Sequence, residues 1–274
     1  MLHIPDQSAP ESALARTTHL GIGAHQDDLE FMAYHGILAC YDSAENWFTG
    51  VTCTNGAGSS RTGPFAHYSD EEMCQVRIAE QNAAAELGQY AAQYQLGHPS
   101  AALKDPANSA ITREIADIIR ATRPHTIYAH QPLDKHPTHL ATLHHTLAAL
   151  RSLPAEFHPG TFLGCEGWRD LDWLPDARKI PLDVSARPEL ATELNLLFQS
   201  QIAGGKNYHE AIIGRRCANA TMSNPHASDE ATHITFALDL SPLLADPALS
   251  LTDFAQVQIS AFRDEVTTAL SAFS

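Results

Sequence analysis

The chain of 274 residues is 44% hydrophobic and 18% charged, enough apolar material to bury a full core, which excludes intrinsic disorder. Its formal charge of −15, from 17 Lys and Arg against 32 Asp and Glu, argues against nucleic-acid or anionic-membrane partners. No apolar run approaches the ~20 residues of a membrane span, residues 1–16 lack a secretory-signal pattern, and the five cysteines never form a Cys-x-x-Cys pair, so a cytoplasmic globular protein with reduced thiols is expected.

In chain order, residues 1–16 are polar, contain Pro5 and Pro10, and read as a loose arm. Residues 17–274 read as a single domain, with a core over 17–150 and an extension over 151–274. Residues 19–24 are expected to form a buried strand, 30–44 a helix and 47–54 a second strand. The stretch 55–68, rich in Gly and Ser and without an apolar period, reads as a long loop. Ser69 with Glu72 three residues on forms a capping box opening a helix that Gly88 stops. A strand at 93–97, a helix at 110–122 ended by Pro124, a strand at 126–130 and a helix at 136–152 follow. Beyond Pro159 strands are expected at 161–165, 179–184 and 233–240, and helices at 188–202, 207–220 and 253–273. Strands alternating with helices of this length predict an α/β fold with a mainly parallel sheet and helices on both faces. Such sheets place reacting groups at the carboxyl ends of their strands.

Two of those ends carry chemistry. The first strand runs into Gly23-Ala24-His25-Gln26-Asp27-Asp28-Leu29-Glu30, and the fourth into His130-Gln131-Pro132-Leu133-Asp134-Lys135-His136-Pro137-Thr138-His139. Read alone, the first is a helix N-cap by Asp27 or Asp28, and the second a helix start with Pro137 at its first position. Read together, at strands that are plausible neighbours at a switch point, they supply one coordination set. Two imidazoles and a carboxylate with an open fourth position form a catalytic zinc site, here His25, Asp28 and His139. Asp27 and His136 remain beside it as acid–base and oxyanion groups.

The first motif resembles the A-H-P-D-D-x-E signature of the LmbE-like, or PIG-L, family of zinc-dependent de-N-acetylases. Its second hallmark, H-x-x-H, is similar to His136-Pro137-Thr138-His139. The resemblance implies a Rossmann-like sheet over roughly residues 17–150, Zn²⁺ on His25, Asp28 and His139, Asp27 as general base and His136 as oxyanion partner. It implies hydrolysis of an acetyl group from an N-acetylated amino sugar or related small molecule. The alternatives are an amidase of the same fold acting on a larger sugar conjugate, and a sugar-binding protein that keeps the metal without turnover. A homo-oligomer is compatible with each. Gln26 replaces the family's usual proline, and Thr138 stands where many members carry an aspartate. Asp134, two residues before His136, is then expected to orient that imidazole, and Glu30 to orient the first loop. Arg61 in the Gly-rich loop is a candidate substrate contact, as are Trp168, whose face suits a sugar ring, and Arg169, which suits a carboxylate or acyl oxygen.

Overall fold

The computed structural model describes residues 1–273; Ser274, the end of the expected extension, lies outside them. From the N-terminus the chain forms β1 (Leu2–His3), α1 (Pro10–Ala15), β2 (His19–Gly23), α2 (Asp28–Met32), α3 (Tyr34–Cys40) and β3 (Phe48–Thr54). Next come α4 (Asp70–Leu87), β4 (Ala92–His98), α5 (Ser100–Leu103), α6 (Ser109–Thr122), β5 (Thr126–His130), α7 (Pro137–Ser152) and β6 (Thr161–Cys165). The remainder is β7 (Ile180–Asp183), α8 (Pro188–Leu196), α9 (Gln199–Ala203), α10 (Tyr208–Met222), β8 (Ile234–Asp239), α11 (Pro242–Ala245) and α12 (Leu251–Ser271).

The strands make one eight-stranded sheet in the order β1-β4-β3-β2-β5-β6-β8-β7. The five inner strands β4, β3, β2, β5 and β6 are parallel, while β1, β8 and β7 pair antiparallel at the edges. The parallel strands are apolar on both sides because helices cover both faces. Leu20, Ile22, Ile127 and Ala129 pack with α6 and α7 on one face. Phe48, Tyr128 and Leu163 pack with α2, α3, α4 and α8 on the other. From β2 the chain winds outward to β3 and β4, then returns to β5 on the opposite side. The carboxyl ends of β2 and β5 therefore flank the switch point, where open α/β sheets bind ligands.

The alternation read from sequence is the observed order, with three corrections. The first sixteen residues are not a loose arm: β1 adds to the edge of β4, the terminal amine donates to Gln95 O at 2.8 Å, and α1 buries Ala13. Unpaired backbone groups on an edge strand invite such pairing. The helix expected over 30–44 is two, broken at Ala33 (φ −106°, ψ 14°). The helix expected over 188–202 is also two, interrupted where Phe198 (φ −85°, ψ 58°) turns its ring into the core. Apolar periodicity carries no signal for a break of one or two residues. Among the described residues no helix is long and apolar enough to cross a membrane.

Candidate active site

The turn after β2 and the turn after β5 open into one cavity of about 690 Å³ lined by His25, Asp27, Asp28, His130, His136 and His139. The sheet brings the two motifs together through residues more than a hundred positions apart. The main-chain N–H of Ala24 donates to Nε2 of His130 at 3.1 Å. Asp28 sits in the centre. Its Oδ2 accepts from the His25 N–H at 2.7 Å and lies 3.2 Å from His25 Nδ1, and its Oδ1 lies 3.3 Å from His139 Nε2.

Two overlapping trios of ligand atoms can hold a metal ion, Asp28–His130–His139 and His25–His136–His139. His139 belongs to both. Its Nδ1 is engaged by Asp134 Oδ2 at 3.1 Å, whereas its Nε2 is buried without a hydrogen-bond partner. A buried polar atom left in that state is costly unless something else meets it, so this donor set fits a divalent ion. His130 is differently committed, because the Ala24 N–H occupies its Nε2 lone pair. Neither trio is the His25–Asp28–His139 set expected from spacing, but its three residues are divided between them and His139 is common to both. His130 stands at the head of the second motif, and local spacing assigns it no role. Its place as the last residue of a buried strand is the signal that could have found it.

The adjacent carboxylates have opposite electrostatics. Burial alone would raise Asp28, but His139, His130 and His25 outweigh it and hold its carboxyl well below the ordinary carboxylate range. Burial raises Asp27 to about 6, despite the opposing pull of Arg77. Asp27 occupies the N-cap position of α2 in the left-handed region (φ 103°), yet its side chain makes no capping hydrogen bond. Instead Arg77 Nη2 donates to Asp27 Oδ2 at 3.1 Å and to the Gln26 carbonyl. Arg77 is only 1% exposed, and its other nitrogen donates to Glu80 Oε2 at 2.9 Å and to Ser200 Oγ at 3.2 Å. The break at Phe198 is what delivers Ser200, whose N–H donates to Glu80 Oε1 at 2.7 Å. Gly56 (φ 73°) allows the loop to pass over this arginine, since a Cβ there would fall 2.7 Å from Arg77 Cγ. Sequence reading passed over Arg77, a lone arginine inside a helical pattern.

Glu30 reaches the first loop indirectly. Its Oε1 accepts from Tyr90 Oη at 2.7 Å and Gln81 Nε2 at 2.8 Å, and Gln81 Oε1 accepts from the Asp27 N–H at 3.2 Å. Burial pushes Glu30 up to about 7. Gln26 is fully buried and donates to Thr54 O at 3.0 Å, so the residue in the proline position ties the turn to β3.

Asp134 departs from expectation. Its Oδ2 accepts from His139 Nδ1 and from the Trp168 N–H, both at 3.1 Å, and its Oδ1 takes only the backbone N–H of His136. The His136 ring is set instead by the helix start: its Nδ1 accepts the Thr138 N–H at 3.3 Å. That bond needs the neutral tautomer with a proton on Nε2. Burial, with His139 and His25 nearby, lowers His136 to about 4. His136 is thus set as a neutral Nε2–H donor, oriented by the helix start and not by Asp134.

Of the candidate substrate contacts, Trp168 lines the cavity, 37% exposed, with its ring 5.9 Å from that of His136 and 5.8 Å from that of Tyr208. Arg61 does not reach it; the guanidinium is held by Asp70 and the Ala57 carbonyl on the loop itself. Arg169 is absent from the lining too, its carbonyl being taken by Gln131 Nε2. Arg215 from α10 stands there instead, 2.5 Å from Gly167 O.

An open α/β sheet with a histidine–aspartate cluster at its switch point and a spare carboxylate beside it defines the chain as an α/β protein with a candidate metal centre. Residues 20–150 match the PIG-L family, described as GlcNAc-PI de-N-acetylase, so this segment, just under half of the chain, is similar to that family. Among solved structures it is similar to the conserved protein TT1542 from Thermus thermophilus, with 19% identity over 85% of this chain and 99% of that one and a TM-score of 0.64. It is similar to N,N'-diacetylchitobiose deacetylase from Pyrococcus horikoshii at 15% identity, covering 84% and 86% of the two chains with a TM-score of 0.64. It is also similar to GalB, the 4-carboxy-2-hydroxymuconate hydratase from Pseudomonas putida, at 16% identity, 82% and 96% coverage and a TM-score of 0.63. No curated protein matches the chain. At these identities the likeness establishes the fold, and the same fold serving a deacetylase and a hydratase shows why function has to be argued from the site.

Proposed function

We infer that the protein is a zinc-dependent de-N-acetylase of N-acetylated amino sugars or related small molecules, with the metal on His25, Asp28 and His139. The observation that carries this is the division of labour between neighbouring carboxylates. Asp28 is enclosed by imidazoles and kept anionic, as a ligand must be, while Asp27 faces the cavity with its proton affinity raised to about 6. A general base works best with a pKa near the operating pH. A zinc ion in such a site supplies Lewis acidity, lowering the pKa of a water beside it and drawing charge from an acyl oxygen.

The chain's own groups divide the remaining work. Asp27 takes a proton from the attacking water, and Arg77 holds its carboxylate in place at 3.1 Å. His136 presents its Nε2–H to the oxyanion that forms on the former amide carbonyl; a donor of this kind is worth about 3 kcal/mol. The C–N bond breaks, Asp27 returns its proton to the leaving amine, and acetate and a free amino group depart. Trp168 and Tyr208 offer a ring face and edge for the sugar. The domain reading of one unit over residues 17–274 is proposed with it, since α9 and α10 supply Gln201, Tyr208 and Arg215 to the site. The test is acetate release from N-acetylglucosamine by zinc-loaded protein, abolished by a chelator and restored by zinc. Release that ignores the chelator would overturn the metal, and no release from any N-acetylated amino sugar would overturn the activity.

A further inference from the structure

We propose that the substrate carries an anionic group, carboxylate or phosphate, which Lys206, Arg215 and Lys135 hold against the Gly167–Trp168 wall of the cavity. The proposal rests on the deacetylase reading and names the class of compound it acts on.

Acids outnumber bases 32 to 17 in this chain, and only four of the bases are lysines. Three of those four, Lys104, Lys135 and Lys206, line the cavity that holds Asp27 and Asp28. The fourth, Lys179, lies elsewhere and is satisfied, 3.0 Å from Asp176 and donating to the carbonyls of Asp172 and Leu174. The three cavity lysines form no ion pair among the described residues. Counting arginines, the lining holds five cations, those three with Arg77 and Arg215, against two carboxylates. Arg77 is spent on Asp27 and Glu80, and imidazoles surround Asp28, so the positive charge left over belongs to the lysines and Arg215. The net charge of −15 on the whole chain repels anions, and a concave wall of cations outside any ion pair is the arrangement that reverses this locally.

The cations come from separate elements and meet at one place. Lys206, from the turn before α10, has its Nζ 5.2 Å from the Trp168 ring centroid. Arg215, on α10, donates to Gly167 O at 2.5 Å. Lys135 lies in the turn whose Asp134 accepts the Trp168 N–H at 3.1 Å. Asp170 lies within electrostatic reach of Arg215 and Lys135, and Glu166 within reach of Arg215, but burial disfavours the charge of both and neither lines the cavity. Arg suits planar carboxylate and phosphate oxygens, with lysines as point charges beside it. A sugar ring against Trp168 with its acetamide toward Asp27 would leave a substituent at the ring's far side in this field.

The experiment compares three substrates with one reacting group: the methyl glycoside of N-acetylglucosamine, its carboxymethyl glycoside and N-acetylglucosamine 1-phosphate. Both anionic compounds should have kcat/KM at least about tenfold above the neutral one at low salt, the size of effect expected for a charge-assisted contact. The gain should sit in KM, shrink at high salt and disappear in Lys206→Gln and Arg215→Gln, but not in Arg263→Gln on α12. The carboxymethyl and phosphate arms tell which anion is preferred. Equal kcat/KM for all three would overturn the anion site while leaving the deacetylase reading intact. If none is hydrolysed, binding of inorganic phosphate to chelator-treated protein decides: weakening by Lys206→Gln supports the site independently of the activity, and no binding overturns it.

Discussion

Nδ1 of His139 lies 3.1 Å from Asp134 Oδ2, so a carboxylate five residues upstream fixes the tautomer of this imidazole and turns Nε2 toward Asp28. The same oxygen takes the Trp168 N–H, and Gly167 is compelled there because a Cβ would fall 2.5 Å from it. Partners of this kind set the orientation and basicity of a ligating histidine. Asp134→Ala is expected to weaken zinc binding by about 10- to 100-fold, measured by competition with a chromogenic chelator. The His136 ring, held by the Thr138 N–H instead, should keep its part in turnover once zinc is saturating. Undiminished zinc affinity in Asp134→Ala would show that the carboxylate serves only the Trp168 loop.

Asp27→Asn separates binding from chemistry. Asn keeps the size, and it tolerates the positive φ of 103° at this position, so the fold and the zinc content should be retained. Turnover should fall by roughly 10²–10⁴, the usual contribution of a positioned general base, as measured by acetate release at saturating zinc. Near-parental turnover would assign the proton transfer to another group.

Arg77 is the anchor that neither motif contains. It is 1% exposed and touches Asp27, Glu80, Ser200 and the Gln26 carbonyl. Replacing it with methionine keeps the volume but strands two buried carboxylates, a change that costs about 3–5 kcal/mol when one partner of a buried pair is removed. Urea denaturation should reveal that loss. In Arg77→Met/Glu80→Gln, where one stranded charge is removed, part of the stability should return while turnover stays low, because Asp27 still lacks its partner. Full activity in the double variant would reduce Arg77 to a structural role.

The residues that were legible in the sequence share one property: their roles follow from local spacing. His25 and Asp28 stand three apart at a strand end, and His136 and His139 stand three apart at a helix start, so the alternating strands and helices were enough to suggest that both turns face one crevice. What escaped depends on contacts between distant segments. Arg77 and Ser200 are separated by 123 positions, and the kink at Phe198 that joins them leaves no mark in the apolar pattern. Asp134 was recognised as important but assigned to His136 because it is nearer in sequence; the first turn of α7 instead rotates His139 onto it. Arg215 displaced Arg169 for the same reason, since α10 packs across the cavity from far along the chain.

The last prediction follows from the charge of His139. Burial would lower its pKa, but Asp28 and Asp134 prevail and raise it from 6.5 to about 10. In metal-free protein His139 is therefore protonated at neutral pH, and its Nε2 lone pair becomes available to zinc only when that proton leaves. Zinc affinity should rise with pH, by up to about tenfold per unit for the one proton released, and level off as pH passes about 10. The stability of metal-free protein runs the other way. A raised histidine pKa stabilises fully below 6.5, and that contribution is lost as pH climbs through about 10. The depressed Asp28 contributes above the ordinary carboxylate range and loses its contribution only in acid. The rise in thermal midpoint on adding zinc should thus grow from about pH 6 to about pH 8.5. Calorimetry in buffers of different ionisation enthalpy should count one proton released per ion near neutrality. Asp134→Asn, which removes one of the two carboxylates holding the proton, should reduce that count. A zinc effect unchanged across the range, with no proton released, would mean that His139 is already neutral and that Asp28 alone does not hold its charge.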